Sequence, residues 1–137
     1  MTLAIGDLRP AEVEAAVALW EACGLTRPWN DPRADIALAL GKHTSTVLAG
    51  RVDGQVVATA MVGSDGHRGW VYYLAVAPDR QRHGYGAQMM QAAADWLKAR
   101  GAPKLHVMIR SENLGVAAFY AKLGYEKSDT ITMAKRL

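Results

Sequence analysis

Cysteine is almost absent from this sequence, since Cys23 is the only one among its 137 residues. A single thiol excludes an internal disulfide framework and a metal site built from several cysteines. It fits a reducing compartment, so we expect a cytoplasmic protein. Long apolar runs are missing too, because no stretch approaches the roughly 20 residues that cross a bilayer. The sequence therefore predicts neither a membrane protein nor a disulfide-stabilised secreted one.

Metal-ligand spacing and long basic tracts are also missing. The sequence has four histidines without the spacing of metal ligands, so no metal is expected: His43, His67, His83 and His106. The net charge of +3 comes from scattered basic residues, whose longest cluster covers residues 80–83. No basic stripe alternates with stacking aromatics, so a nucleic-acid partner is not expected. A compact, local anion site accounts better for the charge.

The chain length and the lack of repeats or linkers predict one domain over residues 1–137. Hydrophobic periodicity and turn residues predict an α/β protein. In chain order we expect two helices, a hairpin, a buried strand, a helix, a strand, a helix and one or two final strands: residues 10–23, 32–40, 46–62, 70–77, 84–100, 105–109, 113–123 and 125–136. Asp7 is expected to cap the first helix, and the strands over 70–77 and 105–109 should be parallel.

A short loop rich in glycine and positive charge follows the strand over 70–77. It has the sequence Gln-Arg-His-Gly-Tyr-Gly over residues 81–86 and leads into a predicted helix. The free N–H groups and dipole of a helix N-terminus favour an anion there. Gly84 and Gly86 would let a phosphate approach the backbone, and Arg80 and Arg82 add charge. The alternative is a loop that merely turns the chain. Neither of the two common nucleotide-binding loop patterns is complete in this segment.

The spacing Gln-x-x-Gly-x-Gly directly after a hydrophobic strand resembles the coenzyme A pyrophosphate loop of the GNAT superfamily of N-acetyltransferases. Residues 112–113 and 117–125 resemble the closing motif of that family. The segments R-P-W-N-D-P at 27–32 and D-G-H-R-G at 65–69 resemble a small subgroup of single-domain bacterial members. The resemblance covers essentially the whole chain. It implies a mixed, largely antiparallel sheet in which a central parallel pair of strands splays apart between flanking helices.

This resemblance implies direct transfer of an acetyl group from acetyl-CoA to a primary amine, on a small metabolite or a peptide N-terminus. It also implies that strand backbone holds the acetyl carbonyl and the pantetheine arm, that loop amides hold the pyrophosphate, and that an asparagine bonds the arm. The matching residues are Leu74, Ala75 and Val76 for the strand backbone; Gln81, Arg82, His83, Gly84, Tyr85, Gly86 and Ala87 for the loop; and Asn113 for the asparagine.

Tyr120 matches the family's general acid, and a phenol near the leaving thiolate can supply its proton. The alternative is an ordinary aromatic residue of an amphipathic helix. The general base is open, because Met108 stands where members that acetylate protein N-termini carry a glutamate, which weakens the peptide as acceptor. His106 shares strand parity with Met108 and is a candidate base. Asp65 and His67 are candidates that act through water, and a turn is their alternative role.

The loop between the first two helices usually lines the acceptor side in this family. There, Trp29 would form an apolar wall beside Asn30, and Asp31 would attract a cationic acceptor. The alternative is that Asp31 caps the second helix and Trp29 packs beneath it. A competing function is a non-catalytic sensor that binds acyl-CoA. Members of this family often dimerise through their C-terminal strands, so the resemblance leaves a homodimer open. Direct transfer needs no cysteine nucleophile, so Cys23 is expected to pack.

Overall fold

The computed structural model describes residues 3–137 of the chain. Within these residues, five strands form one sheet in the order β1-β2-β3-β4-β5. The strands are β1 Ala4–Asp7, β2 Ser45–Val52, β3 Gln55–Ser64, β4 Gly69–Val76 and β5 Leu105–Val107. The helices are α1 Val13–Ala22, α2 Pro32–Ala39, α3 Tyr85–Ala99 and α4 Leu114–Lys122, and short 3-10 turns cover Pro10–Glu12 and Pro78–Arg80. No helix among residues 3–137 is both long and apolar enough to cross a membrane.

The sheet is antiparallel except at one junction. β1, β2, β3 and β4 pair antiparallel in sequence order, whereas β4 and β5 are parallel and joined through α3. The parallel ladder is short, since its last aligned residues are Val71 and Val107. Beyond these two residues the strands are no longer paired. The predicted sheet, largely antiparallel with a parallel pair that separates, is therefore confirmed. The pair was predicted to be central, but it lies at the edge of the sheet, because among residues 3–137 no further strand pairs with β5.

Two apolar layers cover the two faces of the sheet. Alternate residues of a strand point to opposite faces, so β2 contributes to both layers. Leu48 packs with Met89 of α3 in one cluster, while Val47 packs with Trp20 of α1 and Ile36 of α2 in the other. The sheet thus holds α3 on one side and the α1–α2 pair on the other.

The structure corrects the prediction at both ends of the chain. Residues 4–7 form an edge strand that the sequence pattern did not reveal, so Asp7 ends β1 and does not cap a helix. The helical segment instead begins beside Arg9, whose N–H donates to Glu12 Oε1 at 2.8 Å. The strands predicted over 125–136 are wrong, because residues 125–137 have no regular secondary structure. Ile131 and Met133 alternate as in a strand, but both are 87% exposed and cover no apolar surface.

Candidate active site

A cavity of about 750 Å³ lies where β4 and β5 separate. Its walls come from the α1–α2 connection, α2, β4, the residues after β5, and α4. Among the residues singled out in the sequence, the lining includes Asn30, Leu74, Asn113 and Tyr120. Other lining residues were not expected from the sequence, and among them Arg27, Asp35, Tyr73 and Arg110 have polar side chains.

A β-bulge in β4 shapes this cavity. Thr59 of β3 pairs with Ala75 and Met61 pairs with Tyr72, so Tyr73 and Leu74 together oppose one residue of β3. Tyr73 has a φ angle of +51°, a conformation that a bulky side chain adopts only under strain. The bulge takes this part of β4 out of the regular ladder at the point where the strand leaves β5.

Buried hydrogen bonds hold the bulge. Trp20 Nε1 donates to Thr59 Oγ1 at 2.8 Å, and the Thr59 hydroxyl donates to the Tyr73 carbonyl oxygen at 2.9 Å. The side chains of Trp20 and Thr59 are fully buried, so each polar atom needs its partner inside the protein. The strained backbone of Tyr73 is therefore fixed by residues of α1 and β3 that do not line the cavity.

The Tyr73 side chain connects β4 to α2. Its ring stacks on Trp20 with centroids 3.7 Å apart and planes at 5°, and its hydroxyl donates to Asp35 Oδ2 at 2.7 Å. Burial, followed by the bond to Asp35, raises the pKa of Tyr73 well above its usual 10. The phenol therefore stays protonated and keeps one carboxylate oxygen of Asp35 oriented at the cavity wall.

Tyr120 is the buried phenol on the opposite side of the cavity. It is only 6% exposed and meets the rings of Phe119 and Tyr125 edge-on, with centroids 5.1 and 5.4 Å away. Burial raises the pKa of Tyr120 to about 12 from an ordinary 10. Tyr120 lines the cavity. A protonated phenol is thus free to donate into the cavity.

Asn113 lies at the start of α4 and has two roles available. Its Oδ1 accepts a bond from Val116 N at 3.2 Å and so caps the helix. The cap uses only the oxygen of the amide. Because Asn113 also lines the cavity, its NH₂ group can donate to a bound molecule.

The loop before α3 presents unpaired backbone donors. Gly84 is the N-cap residue, with φ +77° and no side chain to cap the helix. The first N–H bonded back to the N-cap is that of Gln88, which donates to the Gly84 carbonyl at 3.1 Å. Among the described residues, no protein acceptor takes the N–H groups of residues 85–87. These donors, together with the helix dipole, form a site that fits an anion such as a pyrophosphate.

Gly84 and Gly86 are each required to be glycine for a different reason. A Cβ at Gly84 would meet nothing within 4 Å, so the requirement there is the positive φ angle. A Cβ at Gly86 would lie 3.1 Å from Phe119 Cζ. Gly86 thus allows α3 to pack closely on α4, in addition to any approach of a phosphate. Side chains also brace the loop, since Gln81 Nε2 donates to the Val76 carbonyl at 3.2 Å.

The predicted acceptor residues lie in different places. Asn30 lines the cavity, whereas Trp29 is 58% exposed and is not part of the lining. Asp31 caps α2, as one alternative proposed, because its Oδ1 accepts from the N–H groups of residues 33 and 34 at 3.0 and 3.3 Å. Asp65 closes a turn by accepting from His67 N at 2.8 Å and Arg68 N at 2.7 Å. Asp65 and His67 are exposed and do not line the cavity.

His106 lies on β5 next to the cavity but outside its lining. It is aligned with Trp70 of β4, and the two rings stack with centroids 4.7 Å apart. Its Nδ1 is buried and has no hydrogen-bond partner among residues 3–137. Met108, two residues further on, is half-exposed and lines the cavity. Within the same described residues, no cluster of His, Cys, Asp or Glu could hold a metal ion.

Residues 10–125 match the sequence pattern of the acetyltransferase (GNAT) family. An acetyltransferase of Pectobacterium atrosepticum is 44% identical over 129 residues, which are 94% of this chain and 92% of that protein. An acetyltransferase of Yersinia pseudotuberculosis is 44% identical over 126 residues, which are 92% of this chain and 89% of that protein. The similarity therefore extends over nearly the full length of both relatives.

Solved structures with this fold include enzymes with different acceptors. Aminoglycoside N-acetyltransferase AAC(6')-Iy, in complex with the bisubstrate analogue CoA-S-monomethyl-acetylneamine, has a TM-score of 0.84 at 15% identity, covering 100% of this chain and 99% of that one. The ribosomal-protein-S18-alanine N-acetyltransferase from Escherichia coli has a TM-score of 0.77 at 22% identity, covering 92% and 79%. At these identities the likeness concerns the fold alone.

Proposed function

The chain belongs to the acetyltransferase (GNAT) family, and from this premise we propose that it moves an acetyl group from acetyl-CoA to a primary amine by direct attack in a ternary complex. The observation that carries the proposal is the cavity at the separation of β4 and β5, which is lined by the buried, protonated phenol of Tyr120. A small-molecule amine is the acceptor we favour.

Acetyl-CoA supplies an acetyl group that is already activated as a thioester. In our proposal, the free N–H groups of residues 85–87 hold the pyrophosphate, helped by Arg82 and by the open backbone at Gly84. The Asn113 amide donates to the pantetheine arm, and backbone of residues 74–76 bonds the arm and the acetyl carbonyl. The bulge supports this last role at Leu74, which it leaves out of the ladder, whereas Ala75 and Val76 are paired with Thr59 and Ala58 of β3.

Tyr120 is the proposed general acid. When an amine displaces the thioester sulfur, negative charge develops on that sulfur, and a phenol within reach stabilises it by giving up its proton. A pKa of about 12 keeps Tyr120 protonated at neutral pH, so it serves as a donor and not as a base. Phe119 and Tyr125 restrict its ring to one position by packing edge-on against it.

The acceptor amine must lose a proton before it attacks. His106 is the candidate base from the sequence, and from its position beside Trp70 a proton could reach it only through water. Asp35 is the one carboxylate among the described cavity-lining residues, and we propose that it draws the amine into place. Cys23 also lines the cavity, but its thiol donates to the Val76 carbonyl at 3.3 Å, and burial raises the pKa of this thiol. A protonated thiol supports direct attack over an acetyl-cysteine intermediate.

The test combines thiol release from acetyl-CoA, across a panel of amines and N-terminal peptides, with direct measurement of cofactor binding. Tyr120→Phe should lower kcat by about 100-fold or more and leave cofactor affinity unchanged. Tyr125→Phe is the matched control, because Tyr125 packs on Tyr120 without lining the cavity. Full turnover in a folded Tyr120→Phe variant would refute the acid role. Cofactor binding without release from any acceptor would favour the non-catalytic sensor.

A further inference from the structure

The charged groups that line the cavity are not balanced. Among the described lining residues, Arg27, Arg110 and Asp35 are the ionised side chains, so two guanidinium groups face one carboxylate. The ion pairs elsewhere in the described chain, Arg33–Glu14 and Arg51–Glu12, leave both cavity arginines without an acidic partner. The lining therefore carries a net positive charge, which favours an anionic ligand.

Both arginines have donors to spare. Arg27 Nη1 donates to the carbonyls of Gly24 and Thr26, each at 2.8 Å, which fixes the side chain on the α1–α2 connection. The other nitrogens of Arg27 have no protein acceptor among residues 3–137. Arg110 is exposed and lines the cavity, so its guanidinium group is open to a ligand. A guanidinium group offers a planar pair of donors that matches a carboxylate or phosphate.

The single carboxylate is already oriented for a cation. Tyr73 donates to Asp35 Oδ2, which leaves Oδ1 of Asp35 available at the cavity wall. Asp35 can therefore hold one ammonium group, while Arg27 and Arg110 repel a second one. An acceptor with several ammonium groups, such as an aminoglycoside, would meet more positive than negative charge in this lining.

We propose that the acceptor is a small molecule that carries one amine and one oxyanion group, either a carboxylate or a phosphate. This inference rests on the proposed acetyl transfer. The oxyanion is bound by Arg110 and by the free nitrogens of Arg27, and the amine is directed to Asp35. The cavity, of about 750 Å³, is large enough for such a molecule beside the acetyl end of the co-substrate.

The test uses pairs of acceptors that share the amine and differ in the anion. Glycine, β-alanine and 4-aminobutyrate are compared with their primary amides, and 2-aminoethyl phosphate is compared with ethanolamine. Thiol release gives kcat/KM, and calorimetry on the CoA-loaded protein gives the affinity independently of turnover. In at least one pair the anionic member should be preferred by about tenfold or more in both measurements. The carboxylate and phosphate arms identify which oxyanion the site takes.

Variants assign the two ends of the ligand. Arg110→Gln should remove the preference for the anionic member and leave CoA affinity unchanged, since Arg110 is exposed and belongs to neither core cluster. Asp35→Asn should weaken both members of a pair alike. Lys98→Gln, on the exposed last turn of α3, removes the same charge away from the cavity and should change neither property.

Several results would overturn the inference: equal use of both members in every pair, an undiminished preference in Arg110→Gln, no acceptor binding, or a fall in CoA affinity in Arg110→Gln. The inference and the proposed function can fail separately. Selective binding of the anionic member without thiol release supports the ligand class and counts against the enzyme. Thiol release from acceptors that lack the anion, with no preference for the anionic members, supports the enzyme and removes the ligand class.

Discussion

At the scale of single residues, Thr59 is the residue on which the shape of the cavity depends most. Thr59→Val keeps the side-chain volume but removes the acceptor of Trp20 Nε1 and the donor to the Tyr73 carbonyl. Two buried polar groups are then unpaired, which should lower the free energy of unfolding by about 1–3 kcal/mol. Because the bulge is no longer fixed, kcat should fall more than CoA affinity. Denaturant unfolding and steady-state kinetics measure the two effects.

Thr46→Val provides the comparison for Thr59→Val. Thr46 is equally buried in the same sheet, and its hydroxyl accepts a bond from Gly41 N at 3.3 Å, away from the bulge. Thr46→Val should lower the free energy of unfolding and leave kcat unchanged. An equal loss of kcat in both variants would mean that general destabilisation, and not the bulge, accounts for the effect of Thr59.

The residues of the site differ in how far the sequence could predict them. Asn113, the N-cap of α4, and Tyr120, in the last turn of α4, belong to one local sequence motif, and both line the cavity. Asp35 and Tyr73 are 38 residues apart and meet only through the packing of α2 on β4. The strand over 70–77 is an almost continuous apolar run, so its pattern contains no sign of a bulge at Tyr73. Local motifs therefore pointed to cavity residues that are close in sequence, whereas residues that only tertiary packing brings together were missed.

At the scale of elements, the contact between α3 and α4 determines where Tyr120 lies. In Gly86→Ala the new Cβ would lie 3.1 Å from the Phe119 ring, so α4 must shift by a few tenths of an ångström. We expect a loss of about 1–2 kcal/mol in the free energy of unfolding and a lower kcat, because Tyr120 moves with Phe119. Thermal unfolding and thiol release check both effects.

Gly115→Ala is the matched control within α4. A Cβ at Gly115 would meet nothing within 4 Å, and the residue lies inside the helix. Alanine there should raise the free energy of unfolding by about 0.5–1 kcal/mol and leave kcat unchanged. A Gly86→Ala variant that matched Gly115→Ala in both stability and turnover would show that the packing of α3 on α4 has no role in placing Tyr120.

Elements with strong internal signals were predicted correctly, whereas elements that depend on partners were not. The crossover helix α3 carries apolar residues at helical spacing and ends before Gly101, so its pattern was sufficient. β1 has four residues, too few for an alternating pattern, and exists because β2 offers an edge to pair with. The C-terminal residues have the alternation of a strand, but among residues 3–137 no strand pairs with them beyond β5.

At the scale of the whole molecule, one buried ion pair connects the start of the helical layer to the sheet. Arg51 of β2 donates to Glu12 at 2.6 and 2.8 Å, and its guanidinium also bonds the Asp7 carbonyl at 2.9 Å. The two side chains are only 9% and 14% exposed. Because β1, the turn before α1 and β2 all meet at this pair, its loss affects the global stability more than a local surface contact would.

The pH dependence of stability tests this pair. The hydrogen bonds from Arg51 lower the pKa of Glu12 from 4.5 to about 2. A carboxyl group whose pKa is lower in the folded state stabilises the fold above its unfolded pKa, and that stability disappears as the pH falls toward the folded pKa. We expect the contribution to be complete above about pH 5 and to be lost progressively between about pH 4.5 and pH 2.

Glu12→Gln should remove this part of the acid sensitivity and, at neutral pH, lower the free energy of unfolding by about 3 kcal/mol, because Arg51 is left buried without its anion. Urea unfolding at about pH 6 and about pH 3 measures both effects. Glu14→Gln is the control, since Glu14 pairs with Arg33 at the same 2.6 Å, but their side chains are 70% and 54% exposed. Solvent screens that pair, so its loss should change little at either pH. Equal effects of the two substitutions would mean that burial does not strengthen the Glu12–Arg51 pair.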